Sequence, residues 1–115
     1  MVGIDIEEIS RFERLYLRKP RLLESLFSSY EWEYAIIKPK PYQTLAGFWC
    51  AKESVVKAFA SIKEVSIRNV NIIHLENGSP QAIILDSKYD SNFEINISIS
   101  HSKQQATAIA IVARN

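Results

Sequence analysis

The spacing of apolar and polar residues predicts a strand and then a helix at the start of the chain. Residues 1–6 alternate weakly and predict a short strand that ends near Asp5. From about residue 7 to residue 17, apolar side chains recur at helical spacing, which predicts the first helix. Pro20 follows, and we expect it to stop or kink this helix because proline is not tolerated in a helix interior.

Two further helices are predicted before the pattern changes. Ser28 and Glu31 have the spacing of a capping box and mark the start of the second helix. Residues 38–41 read Lys-Pro-Lys-Pro, which predicts an exposed loop. Residues 44–60 are rich in Ala, Leu, Phe, Lys and Glu and predict the third helix, with Thr44 as its N-cap.

The second half of the chain alternates with a period of two and predicts strands. These strands cover residues 65–75, 81–85, 93–100 and 106–113, and Asn77-Gly78 predicts the turn between the first two. A strand, three helices and then about four strands predict an α+β fold, in which N-terminal helices pack on a largely antiparallel sheet.

Composition agrees with one folded domain. A chain of 115 residues can bury roughly two thirds of the surface that it exposes when unfolded, which suffices for one core. We therefore expect residues 1–115 to form one domain. The 14 basic and 13 acidic residues nearly cancel, so the net charge of +1 does not indicate a partner.

The sequence also bears on location and redox chemistry. No apolar run approaches the ~20 residues that span a bilayer, and residues 1–5 lack the basic region of a signal peptide. We therefore expect a cytoplasmic protein without a membrane partner. The single cysteine, Cys50, lies in an apolar helical stretch and is interpreted as a small buried hydrophobe.

Three acidic and basic residues have both a structural and a chemical interpretation. Asp5 fits an N-cap paired with Glu8, or a metal-binding carboxylate at the edge of a sheet. Glu53 and Lys57 share one helix face with Trp49. They fit a solvated ion pair, or a site in which a carboxylate binds magnesium and lysine contacts a phosphate.

The two histidines differ in their surroundings. His101 lies on the same face of the predicted strand as Ile95, Ile97 and Ile99. It fits either a strand-end residue that is hydrogen-bonded to a turn, or a residue that contacts a phosphate. His74 has no such neighbours in the sequence and is interpreted as structural.

Arginines recur along the first predicted helix at offsets of three, four and three, at Arg11, Arg14, Arg18 and Arg21. This stripe fits a solvated face or a surface for an acidic partner, and nucleic acid is one alternative. The clearest strand carries Phe93 as its only ring, so the sheet offers little for base stacking, and we expect no nucleic-acid partner.

Five segments together resemble the holo-acyl-carrier-protein synthase family of 4′-phosphopantetheinyl transferases. They are GIDIEEISRF at 3–12, FSSYE at 27–31, LAGFWCAKESVVKA at 45–58, NGSP at 77–80 and ISISHS at 97–102. The match covers nearly the whole chain in the family's order. It implies the phosphopantetheinyl transferase fold and the transfer of 4′-phosphopantetheine from coenzyme A to a serine of apo-acyl carrier protein in fatty acid biosynthesis, with 3′,5′-ADP leaving.

The resemblance also implies roles for individual residues. Asp5 and Glu53 would bind magnesium and, with Lys57, form the catalytic group. Lys57 and His101 would contact the phosphates of coenzyme A. The arginine stripe, Arg11 and Arg14 in particular, would face the acidic carrier protein. The family forms homotrimers with active sites shared between subunits, so these residues need not all meet within one chain.

Two departures from the family pattern favour an alternative. Phe48 stands where the family usually has arginine, and the segment after the third helix lacks the family's glycines. Ser61 and Lys63 are the polar residues there that could contact phosphate instead. The alternative is a catalytically silent trimeric module that binds coenzyme A or acyl carrier protein.

Overall fold

The computed structural model describes residues 1–86 and 92–115. These ranges contain four α-helices and five strands, besides one short 3₁₀ turn. They are strand β1 (Val2–Glu8), helices α1 (Ile9–Arg18), α2 (Pro20–Glu24), α3 (Ser29–Ile36) and α4 (Pro41–Phe59), and strands β2 (Val70–His74), β3 (Pro80–Ile84), β4 (Phe93–His101) and β5 (Gln105–Arg114).

The strands form two antiparallel sheets. One has the order β1-β5-β4, and the other consists of β2 and β3. Helix α4 packs across all three strands of the first sheet, and α1 and α3 pack on α4. The predicted α+β fold with helices on a largely antiparallel sheet is therefore confirmed.

Small side chains allow α4 to lie close to the sheet. Every second residue of β5 points at the helix and is buried, namely Ala106, Ala108, Ala110 and Val112. A Cβ on Gly3 would lie 1.9 Å from the carbonyl oxygen of Ser54, so the backbone of β1 touches the helix directly. This close approach places the rest of β1 against the C-terminal half of α4.

The helices follow the sequence signals only in part. Helix α2 was not predicted, and the predicted exposed loop at 38–41 ends before Pro41, which is buried in the first turn of α4. Helix α1 ends at Arg18, and Pro20 occupies the first turn of α2, where its missing N–H is not needed. The capping box is confirmed, because Ser28 and Glu31 each bond the other's backbone amide. Helix α4, however, begins at Pro41, so Thr44 lies inside it and is not its N-cap.

The strand predictions are confirmed in place and differ in length. The segment 65–75 is only partly a strand, because residues Ile67–Asn69 form a 3₁₀ turn before β2. Gly78 takes the left-handed conformation, with φ 86°, in the predicted turn. Strand β4 extends to His101. In the described ranges, none of the helices has the length and apolar character needed to cross a membrane.

Candidate active site

Strand β1 and helix α4 bring Asp5, Glu53 and Lys57 to one place. Asp5 lies in the middle of β1, paired with Ala108, and its side chain faces α4. The Nζ atom of Lys57 donates to Asp5 Oδ1 at 3.2 Å and to the carbonyl oxygen of Ile4 at 3.1 Å. The N-cap interpretation of Asp5 is wrong, because β1 continues through Glu8 before α1 begins.

Glu53 faces the same space as Asp5. Burial raises the pKa of the Glu53 carboxyl, and the negative charge of Asp5 raises it further, while Lys57 partly opposes both. The side chain of Asp5 is 13% exposed and that of Lys57 is 52% exposed. Lys57 thus approaches from the solvent side, and the two carboxylates meet at the junction of strand and helix.

The two carboxylates fit a divalent cation whose remaining ligands come from a phosphorylated molecule. The Oδ2 atom of Asp5 is buried and accepts no hydrogen bond from any described residue. Within residues 1–86 and 92–115, no group of three or more His, Cys, Asp or Glu side chains is arranged to hold a metal. Magnesium commonly uses only one or two protein carboxylates and completes its shell with water and phosphate oxygens.

Cys50 packs beneath this site and is chemically inert. Its Sγ donates to the carbonyl oxygen of Ala106 at 3.3 Å. Burial and then the negative charge of Asp5 raise the pKa of the Cys50 thiol to about 12. A thiol that stays protonated is a poor nucleophile, and the interpretation of Cys50 as a buried hydrophobe is confirmed.

His101 lies elsewhere in the chain. It lines a cavity of about 330 Å³ together with Tyr34, Phe48 and His74. Asp5 pairs with Ala108, and Ala108 pairs with Ile99 on β4. His101 therefore lies two strands away from Asp5 and two residues further along, at roughly 12 Å. The structure of one chain therefore does not bring His101 to the two carboxylates.

Lys38 and His74 line the same cavity, although the sequence pattern assigns no role to Lys38 and only a structural one to His74. The ring of His74 stacks on that of Tyr34, with centroids 4.0 Å apart and an interplanar angle of 2°. Burial and then the nearby charge of Lys38 lower the pKa of His74, which favours the neutral form of its ring. The Nζ of Lys38 lies 4.6 Å from the centre of the Tyr34 ring. The sequence signal for His74 was its place at the end of β2, next to the predicted turn.

The remaining candidate residues are exposed, the arginines on α1 and Ser61 after α4. Arg11, Arg14 and Arg18 border a groove of about 480 Å³ whose apolar residues are Leu15, Leu22 and Leu26. Arg21 does not line this groove, because Pro20 starts a new helix and breaks the stripe. Ser61 lies in the exposed turn after α4, four residues beyond Lys57.

The chain is similar to proteins of one family over nearly its whole length. A sequence profile described as the 4′-phosphopantetheinyl transferase superfamily matches residues 1–112. Holo-[acyl-carrier-protein] synthase of Caldanaerobacter subterraneus subsp. tengcongensis is 37% identical over 96% of this chain and 91% of that protein. The same enzyme of Nitratiruptor sp. is 38% identical over 99% of each chain.

A solved structure gives the same result in three dimensions. The crystal structure of Helicobacter pylori holo-[acyl-carrier-protein] synthase in complex with coenzyme A matches with a TM-score of 0.83 and 30% identity. The match covers 98% of this chain and 100% of that chain. The chain belongs to the holo-[acyl-carrier-protein] synthase family of the 4′-phosphopantetheinyl transferase superfamily.

Proposed function

We propose that this chain, as one transferase domain spanning residues 1–115, moves 4′-phosphopantetheine from coenzyme A to a serine of apo-acyl carrier protein. The products are holo-acyl carrier protein and 3′,5′-ADP, and the reaction serves fatty acid biosynthesis in the cytoplasm. The observation that carries the proposal is the meeting of Asp5, Glu53 and Lys57 at one junction. Two carboxylates and an ammonium group suit phosphoryl transfer, in which catalysis consists mainly of positioning and charge stabilisation.

Each of the three residues has a distinct part in this proposal. Asp5 and Glu53 would hold magnesium, which when bound would supply positive charge to the pyrophosphate of coenzyme A. Either Glu53 or a water molecule in the site would accept the proton of the attacking serine hydroxyl. Lys57 turns from Asp5 toward the pyrophosphate and neutralises charge on the phosphate as its bond breaks, and its half-exposed side chain has room for this movement.

Coenzyme A and the carrier protein occupy the two other places where candidate residues lie. His101 contacts coenzyme A phosphates from its cavity, and Ser61 approaches them from the turn one helical turn beyond Lys57. Arg11 and Arg14 meet acidic side chains of the carrier protein, since arginine forms bidentate hydrogen bonds with carboxylates. The apolar residues of the neighbouring groove would receive an apolar side chain of the carrier.

We further propose a homotrimer with active sites between subunits. The face of the three-stranded sheet opposite α4 presents Val2, Ile4, Ile6, Ile109 and Ile111, all exposed in the single chain. Ile4 pairs directly with Ile109 and Val2 with Ile111, so these side chains form one continuous apolar patch. Exposed patches of this kind mark interaction surfaces. A shared site also accounts for the distance between His101 and Asp5 within one chain.

Ile4→Glu tests this assembly. Ile4 is 63% exposed in the single chain, so a charge there should leave the fold intact and prevent association. We expect the wild type to have a mass near three times 13.2 kDa in light scattering, and the variant to have a mass near 13.2 kDa and little transferase activity. Leu17→Glu is the matched control, because Leu17 is also exposed but lies on α1. A monomeric wild type with full activity would contradict the trimer.

The proposed activity is tested by mixing the purified protein with apo-acyl carrier protein, coenzyme A and magnesium and weighing the carrier by mass spectrometry. We expect the carrier to gain one phosphopantetheine group, and a chelator to prevent the gain. A carrier of unchanged mass that still binds the protein would instead support the silent module. Phe48, which closes one side of the His101 cavity with an apolar ring, would then be the first residue to replace.

A further inference from the structure

Glu7 is a third carboxylate near the proposed cation site, and none of the roles above uses it. It lies two residues after Asp5 on the same face of β1, which places the two Cα atoms about 6–7 Å apart. Its side chain is 19% exposed. The negative charge of Glu7 contributes to the raised pKa of Glu53, so Glu7 acts electrostatically on the same space.

Glu7 also contacts the surface of this chain on which we propose that the carrier protein docks. Its Oε2 accepts a hydrogen bond from Arg11 Nη1 at 3.1 Å. The side chain of Arg11 is 57% exposed and borders the groove between α1 and α2. A guanidinium carries five N–H donors, so Arg11 can keep Glu7 and also receive a carboxylate from a partner.

The ion pair of Glu7 and Arg11 therefore connects the proposed cation site to the proposed docking surface. On one side, the charge of Glu7 favours a cation at Asp5 and Glu53. On the other side, Arg11 cancels part of that charge for as long as no partner carboxylate shares the guanidinium. A carrier carboxylate on Arg11 would reduce this cancellation, and the site at Asp5 would become more negative.

We propose that Glu7 is a positioning residue that couples carrier-protein docking at Arg11 to cation binding at Asp5 and Glu53. The inference rests on the proposed function, since it uses both sites. Docking of an acidic carrier strengthens cation binding, and because binding free energies are linked, cation binding strengthens docking by the same factor. For a partly exposed ion pair we expect a factor of about three to five, at or just below the lower end of typical coupling.

The experiment measures Mn²⁺ affinity by electron paramagnetic resonance in the presence of coenzyme A, with and without carrier protein. The carrier has its acceptor serine replaced by alanine, so no transfer occurs, and a carrier-only titration is subtracted because acidic proteins attract cations. We expect the carrier to tighten Mn²⁺ binding about three- to fivefold in the wild type and not at all in Glu7→Gln. Glu7→Asp keeps the carboxylate and should retain part of the coupling.

Glu8→Gln is the matched control. It makes the same charge change one residue away, where the side chain accepts from Gln105 Nε2 at 3.4 Å instead of from Arg11. We expect Glu8→Gln to keep the wild-type coupling, and thermal melting to show that both variants are folded. If the carrier still tightens Mn²⁺ binding in Glu7→Gln, the proposed role of Glu7 is overturned. It is also overturned if the wild type binds both Mn²⁺ and carrier but shows no coupling between them. A wild type that binds neither overturns the proposed site itself.

Discussion

Glu53→Gln is expected to slow phosphopantetheine transfer by about 100- to 1,000-fold while leaving the protein folded. The substitution keeps the shape of the side chain but removes its charge and its ability to accept a proton. Glu53 is only half-buried, so the free energy of unfolding should change by no more than about 0.5 kcal/mol. The measurement is the rate at which the carrier gains mass at saturating coenzyme A, together with thermal melting of both proteins.

Glu33→Gln provides the control, because it makes the same change at an exposed position of α3. Transfer by this variant should equal that of the wild type. If Glu53→Gln retained more than about a tenth of the wild-type rate, the proposal that the charge of Glu53 serves the reaction would have to be abandoned.

Lys52→Met is expected to cause the largest loss of stability, about 3–5 kcal/mol. Lys52 Nζ donates to Glu31 Oε1 at 2.7 Å, and the two side chains are 3% and 0% exposed. Glu31 also accepts from the backbone amides of Ser28 and Ile72. The variant would leave the carboxylate of Glu31 buried without its cation, in the place where α3, α4 and β2 meet. Urea unfolding of both proteins at pH 7 measures the difference.

The double variant Lys52→Met with Glu31→Gln separates charge from packing. Glutamine carries no charge and keeps one of the two oxygens that accept from the amides of Ser28 and Ile72. An unpaired amide costs less than an unpaired buried charge, so the double variant should still be more stable than Lys52→Met alone. A loss below about 1 kcal/mol in the single variant, or no recovery in the double variant, would contradict the importance of the buried ion pair.

The sequence by itself determined the elements whose signals are local. Helical spacing predicted α1 and α4, and the Ser28–Glu31 capping box predicted the start of α3, because the atoms that form these contacts lie within one or two turns of each other. Helix α2 and the first turn of α4 were not predicted. Strict alternation predicted β4 and β5, and Asn77-Gly78 predicted the turn between β2 and β3. The order of short motifs along the chain was sufficient to identify the family.

Only the tertiary structure decided what those residues contact. Asp5 satisfied the rules for an N-cap, but pairing with Ala108, more than one hundred residues later, keeps it in a strand that faces α4. Adjacent residues of α4 likewise have different surroundings, since Lys52 is buried on Glu31 whereas Glu53 faces Asp5. Helical periodicity gives the face on which a side chain lies, but the charge that meets it comes from a distant segment, and the register that brings the two together is set by the packing of the whole sheet on the helix.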